Sequence, residues 1–228
     1  MRVTALTTWC CKRNEALFDA ARQGRSPLTW DVVVLQLDTD AGLQGHATAL
    51  AARSGTITEQ YLHEMVAPVV LGRDVTDRER IWHEFWNLDR QLSFFPIYLP
   101  GPVDVALWDL AAKAAGLPLY RLLGAYRQSL PVYASGLFLP DVPAYVEEAQ
   151  RYVARGFGAY KAHPPGPWRQ DMAVHRALRE ALPTAVLISD PVAEYSLEEA
   201  VRVGRDLERL DYHWFEEPFR DYEPVVSG

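Results

Sequence analysis

Three short patterns in the second half of the sequence carry groups suited to proton transfer or cation binding: Lys161-Ala162-His163, Asp190, and Glu216-Glu217-Pro218. Residues two apart on an extended segment face the same way, so the Lys161 ammonium and the His163 imidazole are expected side by side. Asp190 and Glu216 offer carboxylate oxygens, the ligand type a hard cation such as Mg2+ prefers. Each residue also has a plainer reading. A carboxylate at a strand end often caps the following helix, a lysine is often solvated, and His163 precedes Pro164-Pro165-Gly166, a loop composition. Asp190 fits the plain reading least, because it stands six residues ahead of Ser196, where the next helix opens.

What joins these residues is the periodicity of the elements that carry them. Strand-like segments begin near Val132, Ala159, Val186 and His213, at a constant interval of 27 residues. Helical patterns lie between them: Asp141 to Arg155 stopped by Gly156, Trp168 to Leu182 stopped by Pro183, and Ser196 to Leu210. The last opens on Ser196-Leu197-Glu198-Glu199, a capping box. Repeated strand, loop and helix means parallel βα units, in either a doubly wound sheet or a TIM-type barrel. No G-x-G-x-x-G or G-x-x-x-x-G-K-[ST] follows any of the strands, which favours the barrel. In a barrel the chemistry sits at the C-terminal ends of the strands, where Lys161, His163, Asp190 and Glu216 fall.

The first hundred residues read as α+β. Trp30 to Asp38 is rich in β-branched residues, Asp40-Ala41-Gly42 is a turn signal, and Leu43 to about Leu50 closes an antiparallel hairpin. Cys11 to Pro27 is charged and breaks the β pattern, as a surface loop or a flap. Helices follow over Thr58 to Val70 and Asp77 to Arg90, the second opened by the capping box Thr76-Asp77-Arg78-Glu79. Val103 to Ala115 is apolar nearly all round, which predicts a helix buried between layers. Gly116 would cap it, and Pro118 would start a short helix ending at Gly124. Two domains are expected, 1–125 and 126–228.

Composition excludes several functions. The chain of 228 residues is 49% hydrophobic and 23% charged, the balance of a folded globular protein. Its net charge of −7 argues against holding nucleic acid by phosphate neutralisation. No apolar run approaches membrane-spanning length, and the N-terminus shows no secretory h-region. The two cysteines, Cys10 and Cys11, are neighbours that rarely bridge, so reduced thiols and a cytoplasmic location are expected.

The segment from Val103 to Gly124, VDVALWDLAAKAAGLPLYRLLG, closely resembles the signature of the enolase superfamily. More narrowly, it resembles the mandelate racemase/muconate lactonizing enzyme group. Thr39-Asp40-Ala41-Gly42-Leu43-Gln44-Gly45 is similar to that group's capping-domain hairpin, and Trp214-Phe215-Glu216-Glu217-Pro218 to its second metal strand. The resemblance implies an α+β capping domain followed by a modified β/α barrel, here about four βα units of eight. It implies Mg2+-assisted removal of the proton α to a carboxylate, with Asp190 and Glu216 as metal ligands. The group usually carries Lys-x-Lys on the second strand, its second lysine being the base. Here His163 takes that place, with Lys161 beside it. Val192, two residues after Asp190, stands where many relatives carry a polar residue.

The implied substrate is a small carboxylate or acid sugar, turned over by a dehydratase or a racemase/epimerase that is a homo-oligomer when full length. Capping-domain loops would select it, with Arg13, Arg22, Arg25 and His46 as candidate substrate contacts. The third metal carboxylate and the second acid/base would lie beyond Gly228, so the chain is expected to hold only part of the site. Two other readings stay open: a catalytically inactive truncated fragment, and a carbohydrate-binding α/β protein without catalysis.

Overall fold

Alternating buried and exposed positions build an antiparallel sheet at the start of the chain, seen in a computed structural model that describes residues 1–12, 30–52, 54–92 and 99–220. Strand β1 (Val3–Cys11) pairs with β2 (Trp30–Thr39), which pairs with β3 (Gln44–Ala52), in the order β1-β2-β3. The 30–38/43–50 hairpin is present, turned at Gly42 with φ +77°. Strand β1, not predicted from the sequence, is the third member. Its Val3 and Leu6 point into the core, while Thr7, Thr8 and Trp9 bring β propensity without a clean alternation. Beyond Lys12, the expected loop or flap lies outside the described residues until Trp30.

Helices cover this sheet. A helical run comprises α1 (Gly55–Tyr61), a π-helical turn (Leu62–Val66) and α2 (Ala67–Val70). Helix α3 (Arg78–Leu92) follows, and then α4 (Pro100–Ala114) and the short α5 (Leu119–Leu122). At the start of α3, Thr76 spends its hydroxyl donating to Asp74 Oδ1 at 2.7 Å. Helix α4 corrects the expectation of all-round burial. Val103, Ala106, Leu107 and Leu110 are buried, but Val105 is 52% exposed. Its buried face lies against β3, where Gly45 leaves no room: a Cβ there would sit 2.3 Å from the Ala106 carbonyl oxygen.

The chain divides into two compact units, the first ending at Gln128 and the second running on from Ser129. In the second, β4 (Ala134–Ser135), β5 (Ala159–Ala162), β6 (Val186–Ser189) and β7 (Trp214–Phe215) form one parallel sheet. They alternate with α6 (Val142–Ala154), α7 (Trp168–Ala181) and α8 (Leu197–Arg209). Each strand lies beside its neighbour in sequence, β4-β5-β6-β7, with none of the order reversal that defines a doubly wound sheet. This is the wall of a β/α barrel over four strands. The capping box at Ser196 forms as expected, Ser196 Oγ accepting from Glu199 N at 3.3 Å and Glu199 Oε2 from Ser196 N at 3.0 Å. Beneath the sheet, Arg179 donates to five carbonyls, those of Leu182, Pro183, Ala185, Leu210 and Asp211, and so ties down the turns that lead into β6 and β7.

Candidate active site

Strand β5 ends on Lys161-Ala162, and the parallel register places Lys161 beside Ile188 and Ala162 beside Ser189. Asp190 follows β6 immediately, its N–H donating to the Ala162 carbonyl at 3.0 Å. Glu216 follows β7 in the same way, bonding the Ser189 carbonyl at 2.8 Å. The sheet's own hydrogen bonds thus set the three strand ends in step, and their side chains meet above it.

Lys161, 7% exposed, stands at the centre. Its Nζ lies 2.7 Å from Asp190 Oδ2 and 2.7 Å from Glu216 Oε1. His163 Nε2 lies 3.1 Å from the same Asp190 Oδ2, so the expected common face of residues 161 and 163 is realised. The other ring nitrogen, Nδ1, is 2.6 Å from the Gly136 carbonyl oxygen. Trp214 Nε1 donates to the second Glu216 oxygen at 3.1 Å. Asp190 Oδ1 accepts the Val192 N–H at 2.9 Å, so Asp190 closes its own loop while Oδ2 faces the site.

The electrostatics follow from this packing. Burial works to raise the Asp190 carboxyl, but hydrogen bonds from His163, Lys161 and the Val192 N–H outweigh it and hold the pKa at about 2. Burial likewise disfavours the Lys161 ammonium, and its bonds to Asp190 and Glu216 overcome that and raise its pKa. Lys161 is therefore a fixed positive charge here. Two carboxylate oxygens from different strands converge on one cation position, and the ammonium fills it.

Sequence reasoning missed three supports. Gly136 presents its carbonyl to His163, and a Cβ on Gly136 would fall 2.2 Å from the Tyr160 hydroxyl. Tyr145, fully buried on α6, donates to the His163 carbonyl at 2.7 Å and accepts from Leu139 N. Asp171, also fully buried, accepts from Gly166 N and Tyr195. A buried aspartate in the first turn of an otherwise amphipathic helix was the available signal for the last. Glu217, next to Glu216 in the sequence, adopts a left-handed conformation with φ +41°.

Of the candidate substrate contacts, His46 lies on β3 in the first unit. Its ring is 3.2 Å from Gln36 Oε1 and 3.3 Å from Lys113 Nζ, and its N–H donates to Asp109. Arg13, Arg22 and Arg25 fall outside the described residues.

Comparison with known proteins identifies the family. Residues 13–124 match the family described as mandelate racemase/muconate lactonizing enzyme, N-terminal domain, and residues 144–225 match enolase C-terminal domain-like. The chain belongs to the mandelate racemase/muconate lactonizing enzyme group of the enolase superfamily. Within this group, it is 28% identical over 210 residues to an arabinonate dehydratase from Saccharolobus solfataricus, covering 89% of this chain and 56% of that protein. It is 30% identical over 199 residues to an L-talarate/galactarate dehydratase from Salmonella typhimurium, covering 84% and 50%. Among solved structures, a racemase from Streptomyces coelicolor A3(2) with bound magnesium is 25% identical with a TM-score of 0.85, covering 98% of this chain and 64% of that one. The chain spans about half the length of the curated relatives it matches. No described helix is long and apolar enough to cross a membrane.

Proposed function

We propose that this chain supplies two metal ligands and the base of a Mg2+-dependent enzyme that removes the proton α to a carboxylate. The substrate class is an acid sugar or similar small acid, and the reaction is dehydration or racemisation/epimerisation. One observation carries the reading: Asp190 and Glu216 aim oxygens at a single cation position with the His163 imidazole beside it. The residues fit Mg2+, since the donors are hard oxygens and an ammonium already stands where a cation would be held. When bound, the ion would offset the charge that develops on the substrate carboxylate as the α-proton leaves.

The chain's own residues divide the remaining work. The Gly136 carbonyl can only accept, so His163 Nδ1 carries a hydrogen, and Nε2, which in the protonated ring donates to Asp190, must first give up that hydrogen before it can take the α-proton. Asp190, 3.1 Å from Nε2, would stabilise the imidazolium that results. The relatives named as dehydratases and the racemase support this chemistry class.

The test is loss of the α-proton signal of acid sugars in D2O with Mg2+. His163→Ala is expected to slow exchange by about a thousandfold. Absence of exchange from every acid sugar tried, together with no Mg2+ uptake by calorimetry, would overturn the reading.

A further inference from the structure

Three loops carry the proposed machinery: the one after β5 with His163, the one after β6 with Asp190, and the one after β7 with Glu216. Their backbones are not relaxed. Val192, Ala193 and Glu217 adopt φ values of +55°, +57° and +41°, conformations that non-glycine residues hold only when neighbours enforce them. The enforcing bonds run between loops. Ala193 N donates to the Glu217 carbonyl at 2.7 Å and Tyr195 N to the Pro218 carbonyl at 3.1 Å, lacing the second loop to the third.

The first loop is attached through one buried carboxylate. Asp171, on the first turn of α7, accepts the Gly166 N–H on Oδ1 at 2.9 Å and the Tyr195 hydroxyl on Oδ2 at 2.5 Å. Gly166 has φ +112°, and a Cβ on it would press within 3.2 Å of Glu194, so the first two loops also touch there. Tyr195 is 4% exposed, and burial followed by the Asp171 carboxylate pushes its hydroxyl well above the ordinary tyrosine range. It is a committed donor.

We propose that Asp171 and Tyr195 form a positioning clasp that holds the His163, Asp190 and Glu216 loops in register and so sets the affinity of the carboxylate pair for a divalent cation. Neither residue touches the reacting atoms. The second clause rests on the function proposed above, while the first stands on geometry alone.

The experiment compares the 228-residue chain with Tyr195→Phe and Asp171→Asn, by amide hydrogen exchange and by calorimetric titration with MgCl2. Tyr195→Phe keeps the ring and removes the donor. Exchange at Gly166, Ala193 and Tyr195 is expected to quicken roughly tenfold, while amides in the centres of α7 and α8 keep their wild-type rates. Asp171→Asn keeps one acceptor oxygen, so one of the two ties survives and a smaller acceleration is expected. It also serves as the variant to read if Tyr195→Phe fails to fold. Mg2+ affinity is expected to fall at least roughly threefold in Tyr195→Phe. Wild-type exchange at all three amides in folded variants overturns the clasp, and so does uniform acceleration across the second unit. Absence of Mg2+ binding by the wild-type chain counts against the proposed function alone, and the exchange rates still decide the clasp.

Discussion

The Lys161 ammonium is held by two carboxylates, and the pairs are unequal. Toward Asp190 the side chains are 9% and 6% exposed, whereas Glu216 is 36% exposed. Removing the ammonium leaves a buried carboxylate without its nearest counter-charge, which costs about 2–4 kcal/mol once the solvent around Glu216 is allowed for. Lys161→Met is therefore expected to lower the thermal midpoint without metal. Because the vacated position is the one proposed for Mg2+, the same variant should recover more of that midpoint on adding MgCl2 than the wild type gains. Equal metal-induced shifts in both proteins would show that the ammonium and the cation do not compete. At this scale the sequence was informative where side chain and strand period coincide, as at residues 161 and 163. It was silent where a backbone group is the partner, as with the Gly136 carbonyl on His163, because a carbonyl has no residue signature.

Elements were legible in proportion to their length and local chemistry. Helix α8 starts where its capping box says, because both halves of that box are local contacts. Strands β4 and β7 are only two residues each, shorter than their apolar runs, since pairing in a parallel sheet is decided by the neighbouring strand. The π-helical turn at Leu62–Val66 lies inside a segment whose apolar spacing reads simply as α. Helix α4 looked buried all round because hydrophobicity alone does not say how many faces are covered. What fixes its seat is a small residue on the opposing strand, Gly45. Gly45→Ala would drive a Cβ to 2.3 Å from the Ala106 carbonyl and 2.6 Å from Leu110. A destabilisation of about 1–3 kcal/mol is expected, read as a lowered urea midpoint for the first unit. An unchanged midpoint would mean that α4 can shift away from β3 at little cost.

For the molecule as a whole, two cores are stabilised by different means. The first unit buries one large, mainly aliphatic cluster, while the second has two smaller clusters and buries Lys161, Asp171, His175, Ser189 and Asp190 beside them. Chief among these is His175, fully buried between Ser189 Oγ at 3.0 Å and the Tyr212 hydroxyl at 3.2 Å. Burial pushes its pKa down to about 3, whereas in the unfolded chain it titrates near 6.5. Between those values the unfolded chain takes a proton that the folded one refuses, so stability falls as pH drops below about 6.5, by roughly 1.4 kcal/mol per pH unit. Asp190 adds to the loss only further down, between about 4 and 2. The midpoint of the second unit is expected to decline from pH 6.5 to 4.5, and His175→Gln should flatten that slope. A slope unchanged in the variant would assign the acid sensitivity elsewhere.

The cation-responsive groups of the second unit, Lys161, Asp190 and Glu216, gather at the C-terminal ends of the strands, while the opposite end is tied by Arg179. A guanidinium keeps its charge at any pH the protein meets, and its five carbonyl partners carry no charge to lose. The Arg179 ties at the foot therefore contain no group that titrates, whereas the rim answers to added cation. Adjustment at the rim pivots on an anchored base, so new chemistry can be tried in the loops above without renegotiating how the strands stand.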